Sequence, residues 1–408
     1  MDPKRREILI RLAEEYGTPL YVYFLDIIKE RVVNLISIIE NYLRNYLIAY
    51  ACKACSLLYV CSYISKIGLG AEVVSDGELY IALKAGFNRD KIIFDGVSKS
   101  DYEIEYALSQ RIYSINCESL KELEVTSDVA KKLGVYADIG LRINPKVSFH
   151  THSYLKTGTG YNKFGIDFEE VSKNLDLIKK LENINLRGFH FHLGSNIYSA
   201  KPFIDAINRI SSLISLAIDK GYEIEYLDIG GGIPSIKDKQ ALKDYLSPIL
   251  EALNEKVLNL GDIKIIFEPG RYIVADSAVL LTRVNYVKRV GKNDWVLVDA
   301  GMNDFIRPAL YNAIHPIECV SCISSEERIY SIGGPVCESS DVFAKNIRLP
   351  VIKRGDLLAI LETGAYGISI SSNYNSRRRP AVVAVEGDKY KLIRMREEFR
   401  DLIDKEIV

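Results

Sequence analysis

The chain has 408 residues with 53 basic and 54 acidic side chains, so it carries no electrostatic footprint for nucleic acid or a membrane surface and its partner is expected to be a small molecule. That length predicts more than one domain, no apolar run is long enough to span a bilayer, and the opening MDPKRREILI is no leader, so a cytoplasmic protein is expected. Seven cysteines in such a chain argue against a disulfide framework and leave the thiols to packing, metal binding or catalysis.

Residues 5–16 predict a short amphipathic helix, which Gly17-Thr18-Pro19 stops before an apolar strand over 20–25. Asp26 is placed to N-cap a longer helix running to about Arg44. A rhythm then sets in, with strands at 46–52, 71–75, 91–95, 112–116, 138–144, 187–193, 224–229 and 263–268. Between most of them lie helical patterns at 56–67, 77–86, 100–110, 119–133, 169–182, 202–220 and 238–258. Alternation of this kind implies right-handed crossovers and a parallel sheet, and eight units of this size predict an α/β fold with a closed (β/α)8 barrel of the TIM type. An open doubly wound sheet is the alternative, but no GxGxxG follows the first strand.

The rhythm breaks after Gly270. Residues 271–290 are rich in Val, Tyr and Leu without helical period, and strand-like runs follow at 295–298, 329–332, 357–361 and 381–385, predicting a second, mostly β domain of sandwich or Greek-key type. With the early strand joining it, the expected division is a barrel over 27–275 and a discontinuous β-rich domain from 1–26 and 276–408. The loop 145–165 is long for a connection after a barrel strand, and long ordered loops are more often functional than idle.

A barrel builds its active site at the C-terminal ends of its strands. There stand Lys53, Arg142 with Asn144, His190 with His192 and Ser195, Asp228 with Gly230-Gly231-Gly232, and Glu268 with Gly270 and Arg271. Each has a bland reading: a lysine snorkelling from a strand end, a tight glycine turn, a structural Glu–Arg pair. Each also has a chemical one. A desolvated lysine becomes a nucleophile, and glycine N–H groups can converge on an anion. His190 and His192, two apart, are expected to point the same way. A lysine, a phosphate cradle, a carboxylate and a planar histidine together match the needs of pyridoxal phosphate.

Tyr50-Ala-Cys-Lys53-Ala, Gly70-Ala-Glu-Val-Val-Ser75, Phe191-His192-Leu-Gly-Ser195, Leu227-Asp-Ile-Gly-Gly-Gly232 and Glu268-Pro-Gly-Arg271 together resemble the alanine-racemase-fold pyridoxal phosphate decarboxylases. In the second domain, Asp299-Ala-Gly-Met-Asn-Asp-Phe-Ile-Arg307-Pro-Ala-Leu-Tyr311, Gly333-Gly-Pro-Val-Cys337-Glu338-Ser-Ser-Asp341 and Gly364-Ala-Tyr366-Gly narrow the resemblance to the diaminopimelate decarboxylase family. It implies a carboxy-lyase that converts meso-2,6-diaminopimelate to L-lysine and carbon dioxide, the last step of lysine biosynthesis, as a homodimer with shared active sites. Pyridoxal 5′-phosphate would be held by Lys53 as a Schiff base, stacked on His192, and bound through its phosphate by Ser195, the Gly230–Gly232 turn and Tyr366. Glu268 would pair with the pyridine nitrogen, with Gly270 and Arg271 lining the cofactor. The resemblance further implies that Arg271, Arg307, Tyr311 and Tyr366 bind substrate and that Glu338 takes its distal ammonium. Cys337, from the partner subunit, would be the general acid. A thiol suits proton donation near neutrality, and arginine binds carboxylates bidentately. Cys55 and Asp76 depart from the family's usual residues.

Rival readings stay open at this level. His190-x-His192 and His150-x-His152 would suit a metal-dependent barrel hydrolase. Cys52-x-x-Cys55 and Cys319-x-x-Cys322 invite a zinc or redox reading, against which buried thiols are expected. Within the decarboxylases, ornithine, arginine or carboxynorspermidine are alternative substrates. A silent homologue is disfavoured by the intact Lys53 and Cys337.

Overall fold

The computed structural model describes residues 2–147 and 163–407, so most of the 145–165 loop, with His150 and His152, lies outside the described residues. The chain divides into two compact units, Lys29–Ile273 and Met1–Ile28 with Val274–Val408.

In the first unit, eight parallel strands run in order through Tyr46–Ala51, Gly70–Val73, Ile92–Phe94, Ser114–Cys117, Ala137–Asn144, Ile184–His190, Tyr226–Asp228 and Lys264–Phe267. The last pairs with the first, Ile265 opposite Tyr46, so the sheet closes into the expected barrel. Its strands read as near-continuous apolar runs because both faces are covered. The helices start where sequence chemistry satisfies their free N–H groups. Ser75, Ser119 and Asp238 cap theirs through the side chain, and Ser100 with Glu103 forms a reciprocal capping box. Inside the barrel Tyr226 packs with Leu47, Ala49, Ile93, Tyr113 and Ile266. Gly140 and Gly188 make room for its ring, since a Cβ on either would collide with it. The Tyr226 hydroxyl contacts Ser114 Oγ at 2.5 Å and donates to Asn116 Oδ1 at 3.1 Å, dividing an apolar floor from a polar mouth above.

In the second unit the early strand Leu20–Phe24 lies between Ala278–Val290, antiparallel, and Ala381–Glu386, parallel. The helix Pro3–Tyr16, capped by Asp2, packs Leu9, Leu12 and Ala13 onto the core of this sheet. Strands at Ile317–Cys319, Val342–Pro350 and Lys389–Arg394 also belong to it. The sequence reading omits these three because charged and polar residues interrupt their apolar runs. Among the described residues no helix is long and apolar enough to cross a membrane.

Four local expectations are corrected. Asp26 is no N-cap: the helix Leu25–Ile39 begins straight off the strand, so Asp26 lies in its first turn and accepts the Gly387 N–H at 2.7 Å. That helix also ends short of Arg44. Residues 271–290 are not all extended, since Arg271–Val274 forms a helical turn before the strand starts at Ala278. Cys319 and Cys322 are joined by a disulfide instead of lying as free thiols, because the turn after the strand brings their Cα atoms to 5.6 Å.

Candidate functional site

The first barrel strand ends at Ala51, and Lys53 stands on the one-turn 3-10 helix Cys52–Ala54 instead of on the strand tip. Its ammonium is not left to snorkel. Nζ lies 2.7 Å from Oε1 of Glu72, a fully buried carboxylate on the second strand. Burial pushes the Glu72 carboxyl up and the Lys53 charge pulls it back.

Asp95, just past the third strand, and His190, at the end of the sixth, are buried together, with Asp95 Oδ2 3.1 Å from His190 Nε2. Glu268, just past the eighth strand, has Oε2 3.5 Å from the same nitrogen. Among the described residues neither Glu268 oxygen has an N–H donor, and its carboxyl meets that of Asp95. Burial, then the Asp95 and Glu72 charges, push the Glu268 carboxyl well above the usual range. Asp95 goes the other way: burial opposes its charge, but His190, the Glu268 carboxyl and the Arg142 and Lys53 charges together hold the carboxyl low. A second pair, Arg142 with Glu118, closes the mouth, and Glu118 Oε2 accepts the Gly165 N–H at 2.7 Å.

His192 lies beyond the strand, where period-two alternation no longer governs it. Its Nδ1 accepts the Gly231 N–H at 3.1 Å, so that nitrogen carries no proton. Burial and the nearby Lys53 and Arg142 charges push its pKa well below the usual value, keeping the ring neutral. Gly230 adopts φ +68°, and a Cβ there would sit 2.6 Å from the Phe191 carbonyl. The expected glycine cradle is narrower than the sequence suggests. Gly230 N–H donates to Asp228 Oδ1 at 2.9 Å and Gly231 N–H to His192, which leaves Gly232 of the three. Beside this turn Ser195 Oγ accepts from Arg271 Nε and Nη2, both at 3.1 Å. A Cβ on Gly270 would meet the Cβ atoms of Ala54 and Ala51, so this glycine lets the Glu268–Arg271 turn pack against the base of Lys53. A Cβ on Gly231 would collide with the Glu268 carbonyl. Gly231→Ala is therefore expected to cost about 2 kcal/mol in a urea melt and to weaken ligand binding in the barrel.

In the second unit Arg307 and Tyr311 share the helix Arg307–Tyr311, with the guanidinium carbon 5.6 Å from the Tyr311 ring centre. Arg307 Nε donates to His315 Nε2 at 3.4 Å, and His315 Nδ1 faces the Leu361 carbonyl at 3.1 Å, which selects the Nδ1–H tautomer. Elsewhere in this unit Cys337 is exposed, lining a cleft of about 680 Å³ with Asp304, Asn375, Arg377 and Arg396. Its backbone N–H donates to Asn375 Oδ1 at 2.7 Å, and the Tyr374 hydroxyl lies 3.5 Å from Glu338 Oε2. Asp341 organises the loop by accepting the Met302 and Val336 N–H groups, each at 2.7 Å. Asp341→Ala orphans both donors, so a loss of about 2 kcal/mol is expected in thermal melts. Tyr366 is half-buried at φ +54°.

Glu72 and Asp95 were missed as site residues. Both stand at or just beyond the ends of barrel strands, so the criterion that picked out the others also finds them.

Residues 29–275 match the family described as pyridoxal-dependent decarboxylase, pyridoxal binding domain. The chain is 40% identical over 403 residues to the diaminopimelate decarboxylase of Aquifex aeolicus, covering 97% of this chain and 93% of that relative. The diaminopimelate decarboxylase of Helicobacter pylori complexed with L-lysine superposes with a TM-score of 0.90 at 40% identity, covering 97% of this chain and 98% of that one. The enzyme from Methanocaldococcus jannaschii in complex with L-lysine gives 0.91 at 38% identity, covering 98% and 94%. The chain belongs to the diaminopimelate decarboxylase family of pyridoxal-dependent decarboxylases.

Proposed function

We infer that this protein uses pyridoxal 5′-phosphate to decarboxylate meso-2,6-diaminopimelate to L-lysine and carbon dioxide. The observation that carries this reading is the agreement along nearly the whole chain with diaminopimelate decarboxylases, two of whose structures hold L-lysine, the product of that reaction. The barrel's residues fit the cofactor. Glu268 is a buried carboxylate without a hydrogen-bond donor, facing a mouth that also holds a lysine amine, a neutral imidazole and a glycine turn. When bound, the cofactor supplies an electron sink for the carbanion left as carbon dioxide departs.

Each residue then has a task. Lys53 would hold the aldehyde carbon, with Glu72 accepting its proton while the amine is charged. His192 would lie against the ring, its neutral state adding no positive charge to the electron sink's face. Glu268 would hold the ring nitrogen in its protonated form. Ser195, Gly232 and Tyr366 would take the phosphate, and Arg271, which already grips Ser195, would link that end to a substrate carboxylate. Arg307 with Tyr311 would bind a carboxylate, Glu338 the distal ammonium, and Cys337 of the partner subunit would deliver the proton to the α-carbon. A cytoplasmic homodimer is part of the same proposal.

The test supplies meso-diaminopimelate, ornithine and arginine to the purified protein with pyridoxal phosphate and measures carbon dioxide. Release from diaminopimelate alone, with L-lysine formed in equal amount, is expected; turnover of ornithine in preference would overturn the substrate assignment. Light scattering on the eluted protein tests the dimer.

A further inference from the structure

Asp95 has no role in the assignments above, yet it occupies the centre of the barrel's charged mouth. It is buried, its Oδ2 lies 3.1 Å from His190 Nε2, and Asn116 Nδ2 donates to its Oδ1 at 2.5 Å. Asn116 is itself held from two sides, by the Tyr226 hydroxyl on its Oδ1 and by buried Lys99 on its backbone oxygen. Lys99 also binds the Gly96 carbonyl, pinning the residue next to Asp95. Asp95 is thus a carboxylate with an imidazole partner and an amide donor already supplied by the protein. Glu268 is the opposite: equally buried, with no N–H donor on either oxygen among the described residues and its carboxyl in hydrogen-bonding contact with that of Asp95. One oxygen of each carboxylate and His190 Nε2 all lie within 4.8 Å of one another.

Two carboxylates this close and this buried do not both ionise in the presence of one imidazole. The groups facing Glu268 are Lys53 from the first-strand turn, Glu72 from the second strand, Asp95 after the third, His190 from the sixth and Asp228 from the seventh. Lys53 is engaged by Glu72, and His190 lies nearer Asp95 than Glu268, so the Lys53 charge only partly offsets the Asp95 and Glu72 charges at Glu268. The directions agree: Asp95 is held low, while Glu268 and Asp228 are pushed up by burial and by their neighbours.

We propose that Asp95 is a positioning residue that keeps a proton on Glu268 until the cofactor's ring nitrogen arrives. This rests on the cofactor reading above. On binding, the O–H bond of the Glu268 carboxylic acid breaks and the carboxylate accepts the ring N–H. The proton passes to the ring nitrogen if that atom arrives unprotonated, and to solvent if it arrives as N–H. The consequence is a gate by charge: the barrel mouth tolerates an ionised Glu268 only when a ring cation accompanies it.

The experiment measures protons exchanged when pyridoxal phosphate is added to the full chain stripped of cofactor, by calorimetry in buffers of different ionisation enthalpy. Removing the Asp95 charge with Asp95→Asn lets Glu268 ionise beforehand. Wild type is therefore expected to release about one more proton per site than Asp95→Asn, whatever the protonation of the free cofactor. Equal stoichiometry would overturn the proposal. Infrared difference spectra of wild type guard against an Asp95→Asn chain that fails to fold. Loss of a protonated-carboxyl band on cofactor addition, absent from Glu268→Gln, supports the proposal, and no such loss overturns it. Failure of wild type to develop visible absorbance with pyridoxal phosphate would instead overturn the cofactor reading, and this proposal with it.

Discussion

Lys53→Ala is expected to abolish the visible absorbance that pyridoxal phosphate acquires on the protein and to lower kcat/KM by about 10⁴-fold or more, since covalent placement of the reacting group is lost. The change also strands the buried Glu72 carboxylate, whose partner amine sits 2.7 Å away, so alanine alone confounds chemistry with stability. Lys53→Arg separates them. It keeps a cation beside Glu72 but offers no nucleophile, because a guanidinium stays protonated. Lys53→Arg should therefore melt near wild type, judged by circular dichroism, and still lack turnover. Full activity in Lys53→Ala would end the assignment of this lysine.

Cys337→Ala should separate binding from proton transfer. The thiol is exposed and its loop is held by contacts that do not involve the sulfur, namely Asn375 to the Cys337 N–H and Asp341 to Val336 and Met302. Stability and cofactor absorbance are therefore expected to stay unchanged while kcat falls by about 10²–10⁴-fold, the range for a missing general acid. Single-turnover measurements should show carbon dioxide release slowed less than lysine formation. Unchanged lysine formation would remove Cys337 as the proton donor. If Cys337 acts across a dimer, mixing inactive Lys53→Ala and Cys337→Ala chains should restore about a quarter of the wild-type sites in a random assortment.

Much of this molecule was legible as letters. The strand–helix rhythm over 46–268 set the barrel, because a buried parallel sheet demands apolar runs and its crossovers demand helices between them. The rule that barrel chemistry stands at strand ends then put Lys53, His192 and Glu268 forward as candidates. Where letters misled, local geometry had the deciding vote. Asp26 has the right type for a cap, but the strand before it runs straight into helix and leaves it two positions inside the cap. Three consecutive glycines announce an anion cradle, yet two of their N–H groups turn to Asp228 and His192. Cys319 and Cys322 pair because a turn brings them together, which no spacing rule settles between thiols, metal and disulfide.

By itself the sequence determined the architecture and the chemical inventory, since periodicity and residue type are local properties that survive without coordinates. Only the tertiary structure decided which charges meet. Glu72, Asp95 and His190 are separated by 23 and 95 residues along the chain, and closure of the barrel brings them to Lys53 and Glu268. Their protonation follows from that meeting, because in a buried mouth a carboxylate's charge depends on which neighbour shares its low-dielectric surroundings.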